Sequence, residues 1–161
     1  MNFKNNIMNI DDILSNKQVV NAEKFEMGKE AQEVSSKVVL DIMRNLGDRQ
    51  AEELILDFFF YTDERSKAEG LAEVLRKFGY TLGIYKEEKG ELKFSVIGQT
   101  IPLPNEDDVV LNWCRKMNEL GYIHDCAFDG WGTPVAEGGW FGDNIPEHEL
   151  RKRLGLPPLE E

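Results

Sequence analysis

The residues best suited to metal binding or nucleophilic chemistry are few, with His124 and His148 the two histidines and Cys114 and Cys126 the two cysteines. His124 and Cys126 stand two apart, and 123–128 reads as a strand, where they share a face and could open a metal site. Zinc takes four ligands, or three and an open position. His148 and Cys114 would have to complete the set from elements with no ligand spacing of their own. The simpler reading is that Tyr122, His124, Cys126 and Phe128 form one semi-apolar strand face. Nucleophilic catalysis finds no support, because there is no Gly-x-Ser-x-Gly elbow and neither histidine has a recognisable Ser or Cys partner. Asp125 and Asp129 share a strand face, but acid/base work needs two carboxylates in different environments across a cleft. Gly138, Gly139 and Gly142 lack the Lys-containing pattern of a phosphate loop. No catalytic residue, no metal ligand and no cofactor is therefore assigned, and the chain reads as a non-enzyme.

Binding residues are easier to nominate. Phe128-Asp129-Gly130-Trp131-Gly132-Thr133 sets a tryptophan between two glycines, with no flanking side chains to cover it. Trp131 either anchors a partner, as tryptophan does at interface hot spots, or plugs the core with glycines permitting close backbone approach. Phe59, Tyr61 and Phe94 occupy places where an RNA-recognition module stacks bases. The strand Glu91-Leu92-Lys93-Phe94-Ser95-Val96 lacks the basic, glycine-aromatic signature of that module, and Phe59 and Tyr61 read better as packing under the helix of 34–46.

These candidates must be positioned by elements that the apolar spacing outlines. Leu71, Val74, Leu75 and Phe78 run at helical spacing into Gly79-Tyr80, and Val110, Trp113, Cys114, Met117 and Leu120 run into Gly121-Tyr122. Each helix lies between strand-like runs, 55–61 and about 82–84 around the first, about 92–96 and 123–128 around the second. Thr62 and Asn105 read as the helix N-caps, and Glu87-Glu88-Lys89-Gly90 as a hairpin loop. Two strand–helix–strand units in tandem predict an α+β, ferredoxin-like βαββαβ sandwich with a four-stranded antiparallel sheet. A helix striped by Val34, Val38, Ile42 and Leu46 precedes it, and a short C-terminal helix follows, opened by Pro146 and ended by Leu154-Gly155. The expected organisation is a polar N-terminal extension at 1–32, the domain at 33–135, and a Gly-rich segment with the short helix at 136–161.

The chain of 161 residues carries a net charge of −11. Residues 51–130 hold 16 acidic and 9 basic side chains, so most of the surplus sits in the double unit. Nucleic acids are bound largely by neutralising phosphates, which argues against direct nucleic-acid binding and makes a basic protein the natural match. The carboxylates around Glu69, Glu73 and Glu119 join Asp129, Gly130, Trp131, Gly132 and Thr133 as the nominated partner contacts. No membrane span, no secretory leader and no disulfide framework is legible, which points to the cytoplasm.

Asp129-Gly-Trp-Gly-Thr133 after a Gly-Tyr helix stop, with Asp57-Phe-Phe-Phe-Tyr61 before the first helix, resembles the RraB family over about residues 35–135. Its members are regulators of ribonuclease E activity with a ferredoxin-like fold. The resemblance implies a small acidic cytoplasmic protein that binds ribonuclease E, or another RNA-processing protein, and inhibits it or alters its assembly. It brings no cofactor and no catalytic residues. Two other classes stay open at this point: an immunity-type inhibitor of a toxin nuclease, and a small RNA-binding module.

Overall fold

The computed structural model describes residues 18–45, 52–134 and 140–142. The expected C-terminal helix, Leu46 and most of the 1–32 extension lie outside them. The described chain forms three helices and two antiparallel sheets. In chain order these are α1 (Ala22–Arg44), β1 (Glu53–Leu54), β2 (Asp57–Thr62), α2 (Arg65–Lys77), β3 (Thr81–Lys86), β4 (Phe94–Gln99), β5 (Leu103–Pro104), α3 (Asp107–His124), β6 (Ala127–Pro134) and β7 (Trp140–Gly142). The main sheet has the order β3-β4-β2-β6-β7, and β1 pairs with β5 in a separate two-stranded ribbon. β2, β3 and β4 overlap the expected strand runs, the expected strand at 123–128 is replaced by β6 starting only at Ala127, and β7 adds a fifth at the rim.

β2 is central because its sequence leaves it no alternative. Five of its six residues, Asp57, Phe58, Phe59, Phe60 and Thr62, are buried, which an edge strand cannot achieve. Phe58 and Phe60 lie opposite Gly98 and Val96 on β4, and opposite Trp131 and Phe128 on β6. Leu71, Leu75, Val110, Trp113 and Met117 of the helices close over that face in one core cluster. α2 ends as the spacing predicts, with Phe78 as cap residue and Gly79 at φ +88°.

Several boundaries differ from expectation. α3 does not stop at Gly121 but runs on to His124, and Asp125 takes the left-handed cap position at φ 58°. Gly121 serves packing instead: a Cβ there would meet the Cys126 carbonyl, while the Cys126 N–H donates to the Gly121 carbonyl at 2.8 Å. Tyr122 and His124 are therefore helical and Cys126 precedes β6, so the strand face of Tyr122, His124, Cys126 and Phe128 does not exist. The helix N-caps are Glu64 and Glu106, not Thr62 and Asn105. Thr62 stays in β2 and donates its hydroxyl proton to the Asp125 carbonyl at 2.9 Å.

α1 differs most. It begins at Ala22, capped by the Asn21 side chain accepting from the Lys24 N–H at 2.8 Å, and so runs across the expected boundary at residue 32. Its buried residues are Ser36, Leu40 and Met43, on the side opposite the expected stripe. Val34 is 65% exposed and Ile42 50%, with Val38 and Met27 similarly open. The helix carries two apolar stripes, and periodicity alone does not say which one meets the core.

Candidate functional site

The glycine-tryptophan segment owes its geometry to a β-bulge. Along β6 the partner of Phe60 is Phe128 and the partner of Phe58 is Trp131, so Asp129 and Gly130 together face the single residue Phe59. An unbulged strand would send positions three apart to opposite faces. The extra residue restores both aromatic rings to the helix side, and Gly130 at φ +104° supplies the backbone conformation this needs. Trp131 is 3% exposed there. Its indole N–H donates to the Ser36 hydroxyl of α1 at 2.8 Å, and that hydroxyl lies 3.5 Å from the Cys114 sulfur of α3. Gly130, Gly132 and Thr133 are buried as well, and Thr133 donates to the Ile55 carbonyl at 2.9 Å. Trp131 is thus the plug of the two readings, tying β6, α1 and α3 together. Of the nominated contacts, Asp129, Glu69, Glu73 and Glu119 remain on the exterior.

A second constellation escaped sequence reasoning. Asp125, fixed in its left-handed cap, accepts from the Val19 and Val20 N–H groups at 2.9 and 2.7 Å and from Lys67 Nζ at 2.6 Å. Lys67 also reaches Asp63 at 2.9 Å. Burial works against the Lys67 ammonium, but the Asp125 and Asp63 carboxylates outweigh it and the pKa ends raised. The assembly holds the strand of chain entering α1 against the α3–β6 corner. No local signal marks it, because Val19 and Asp125 are more than a hundred residues apart. Beside it lies a depression of 620 Å³ bordered by Lys24, Asp63, Glu91 and Leu92.

Burial pushes both thiols, Cys114 and Cys126, up to about 12, far from thiolate at neutral pH. Among the described residues no group of three or more His, Cys, Asp and Glu side chains could hold a metal ion. The aromatic residues weighed for base stacking are split between faces. Phe94 pairs with Thr62 on the helix side, whereas Tyr61 pairs with Ser95 on the other, and Phe59 shares the face of Tyr61. A stacking platform needs them on one face. For the same reason Phe59 and Tyr61 do not pack under α1.

What the exterior offers instead is the helix layer. Phe25 of α1 stacks on Tyr122 of α3 at 4.6 Å between ring centroids, and Arg115 of α3 pairs with Glu33 of α1 at 3.2 Å. With α1 so fixed, Met27, Val34, Val38 and Ile42 face outward as an apolar stripe. Glu69 and Glu73 on α2 and Glu119 on α3 stand exposed in the same layer. Fold and exterior together describe a mixed helix-and-strand protein whose helix layer presents an apolar stripe and acidic side chains. The sequence matches the RraB family, described as regulator of ribonuclease activity B, over residues 33–133, more than half of the chain. The chain belongs to this family. No curated protein matches it.

Proposed function

We propose that the chain is a non-catalytic, protein-binding regulator of a ribonuclease, with ribonuclease E as the enzyme it engages. The observation that carries this reading is the family match, which coincides with the folded unit from mid-α1 to the end of β6. The strand order β3-β4-β2-β6 with α2 and α3 over one face supports a ferredoxin-like assignment for that unit, at residues 33–135. Docking goes through the helix layer, where the apolar stripe Met27, Val34, Val38 and Ile42 is accompanied by Glu69, Glu73 and Glu119. An apolar centre with a charged margin is the usual anatomy of a protein interface, and the acidic side chains suit a basic segment of the enzyme. The reduced, buried cysteines Cys114 and Cys126 fit a cytoplasmic setting. Among the described residues, no helix is long and apolar enough to cross a membrane.

Titrating the purified protein into ribonuclease E while it cleaves a fluorogenic single-stranded RNA is the direct test. Cleavage is expected to slow or change site preference, with saturable binding by calorimetry at matching concentrations. Unchanged cleavage together with no heat of binding would overturn the reading.

A further inference from the structure

The main sheet ends in β3 on one side and in β7 on the other. β3 is therefore an edge, and its register fixes which of its backbone groups are used. The Glu87 N–H donates to the Lys93 carbonyl at 2.6 Å, one step beyond the Lys86–Phe94 pair. Bonded positions alternate along an antiparallel ladder, so Thr81, Gly83 and Tyr85 turn their N–H and C=O groups towards β4. Leu82, Ile84 and Lys86 turn theirs outward. Among the described residues, no backbone group meets this outer row. The usual protections of an edge are also missing. β3 has no proline, its register with β4 is unbroken, and its one charge is Lys86 at the end.

We propose that this edge is a self-association site, where a second copy of the chain seats its own β3 antiparallel and makes one continuous sheet across a two-fold axis. The residues select the register. With the axis at Ile84, the two Ile84 residues face each other and Leu82 faces the second copy's Lys86. Every outward N–H of one edge then finds an outward C=O of the other. Gly83 falls opposite the second copy's Tyr85, in the non-hydrogen-bonded position where Cα atoms approach to about 4.5 Å. Glycine leaves room there. Within one chain the Tyr85 ring already lies over Gly83, since a Cβ on that glycine would meet the Tyr85 hydroxyl oxygen at 2.8 Å. An aromatic ring beside a glycine is a known way of pinning strand register. The same register keeps the two Lys86 side chains about 13 Å apart along the ladder, so the like charges do not meet. A second β3 suits this edge better than a flexible foreign segment. It is already held extended by β4, so pairing costs it little conformational entropy, and one isologous contact satisfies two edges at once. α1 packs on α3 and on β6, beyond β2 from this edge. The pairing therefore leaves the α1 stripe free and does not depend on the ribonuclease reading.

Sedimentation equilibrium and residue-resolved amide hydrogen exchange of the full chain, over a series of protein concentrations, test it together. The mean mass is expected to rise from that of one chain towards that of two. Over the same range the Leu82, Ile84 and Lys86 amides should slow severalfold, while Gly83 and Tyr85 are protected throughout. Each copy carries a charge of −11, so added salt should strengthen this association, the opposite of its effect on a basic partner. A single-chain mass at every concentration would overturn the proposal. So would a dimer in which the three outward amides exchange as in the monomer, or full protection of those amides in the monomer itself. Protection that appears only when ribonuclease E is added would give the edge to that enzyme and equally defeat self-association. Lys86→Pro supplies a second readout, because it removes one outward N–H at an exposed edge position where proline is tolerated. The variant should dimerise severalfold more weakly with an unchanged circular dichroism spectrum. Wild-type dimerisation by the folded variant would count against the edge, and if it loses its fold the wild-type exchange pattern decides alone.

Discussion

Trp131 shows how far a single residue's surroundings decide its role. Its ring fills the space between β6, α1 and α3, and its one polar atom is satisfied by Ser36. Trp131→Ala leaves both a cavity and a Ser36 hydroxyl short of a partner, and should cost roughly 3–5 kcal/mol of folding stability. Denaturant titration measures this, and the molecules that remain folded should bind ribonuclease E with unchanged affinity. Retained stability with lost affinity would return Trp131 to the interface. Tyr61 offers a second residue-level check through pH. Its folded-state pKa lies near 12, above the ordinary value of 10, so its hydroxyl stays protonated in the folded protein after an exposed tyrosine has ionised. Linkage then makes the folded state lose stability as pH climbs from about 10 towards 12, while nothing changes below 10. Burial also raises Tyr80 and Tyr85, so ultraviolet titration of phenolate absorbance should show several late-ionising tyrosines, and Tyr61→Phe should remove the one that ionises near pH 12.

At the scale of elements, α1 and β6 explain what was legible and what was not. β2, α2 and the Gly79 stop were readable because local pattern and tertiary demand coincide: five buried residues in six, and one apolar stripe followed by a glycine. α1 carries Val39, Leu40 and Met43 on one side and Val34, Val38 and Ile42 on the other, so the buried side is chosen by Phe25, Ser36 and Arg44 contacting α3, β6 and the α3 start. Such partners are remote in sequence. Sequence pattern ends α3 too early because Gly121 resembles a stop, whereas its role is to let Cys126 pass close by. The bulge at Asp129-Gly130 was equally hidden, although the motif around it was plain, because a bulge is defined by its partner strand. The face assignment of α1 carries its own prediction. Val38→Ser, on the exposed stripe, should move stability by no more than about 0.5 kcal/mol, whereas Leu40→Ala should cost about 2–5 kcal/mol. Thermal melts of the two variants separate the faces, and equal costs would place the stripe in the core after all.

For the whole molecule, the question is how a net charge of −11 is used. Ion pairs within the chain, Glu33 with Arg115 and Lys37, Asp107 with Arg44, and Asp63 and Asp125 with Lys67, hold some carboxylates locally, but the surplus stays, because a net charge already counts both signs. Among the described residues Glu73 on α2 and Glu119 on α3 make no ion pair, and Glu69 has a long contact with Arg65 at 3.9 Å. These three are exposed on the layer that also presents the apolar stripe. A field of this kind acts mainly on encounter, speeding association with a basic segment and fading as salt shortens the Debye length from about 10 Å at 0.1 M to about 3 Å at 1 M. Association with ribonuclease E should therefore slow as salt is raised, with dissociation little changed. The triple variant Glu69→Lys/Glu73→Lys/Glu119→Lys should lower the low-salt on-rate by about tenfold or more and flatten its salt dependence, while its melting temperature stays near wild type. Stopped-flow measurement at several salt concentrations reads both slopes. A wild-type on-rate indifferent to salt would remove charge matching from the account and leave Met27, Val34, Val38 and Ile42 as the determinants of docking.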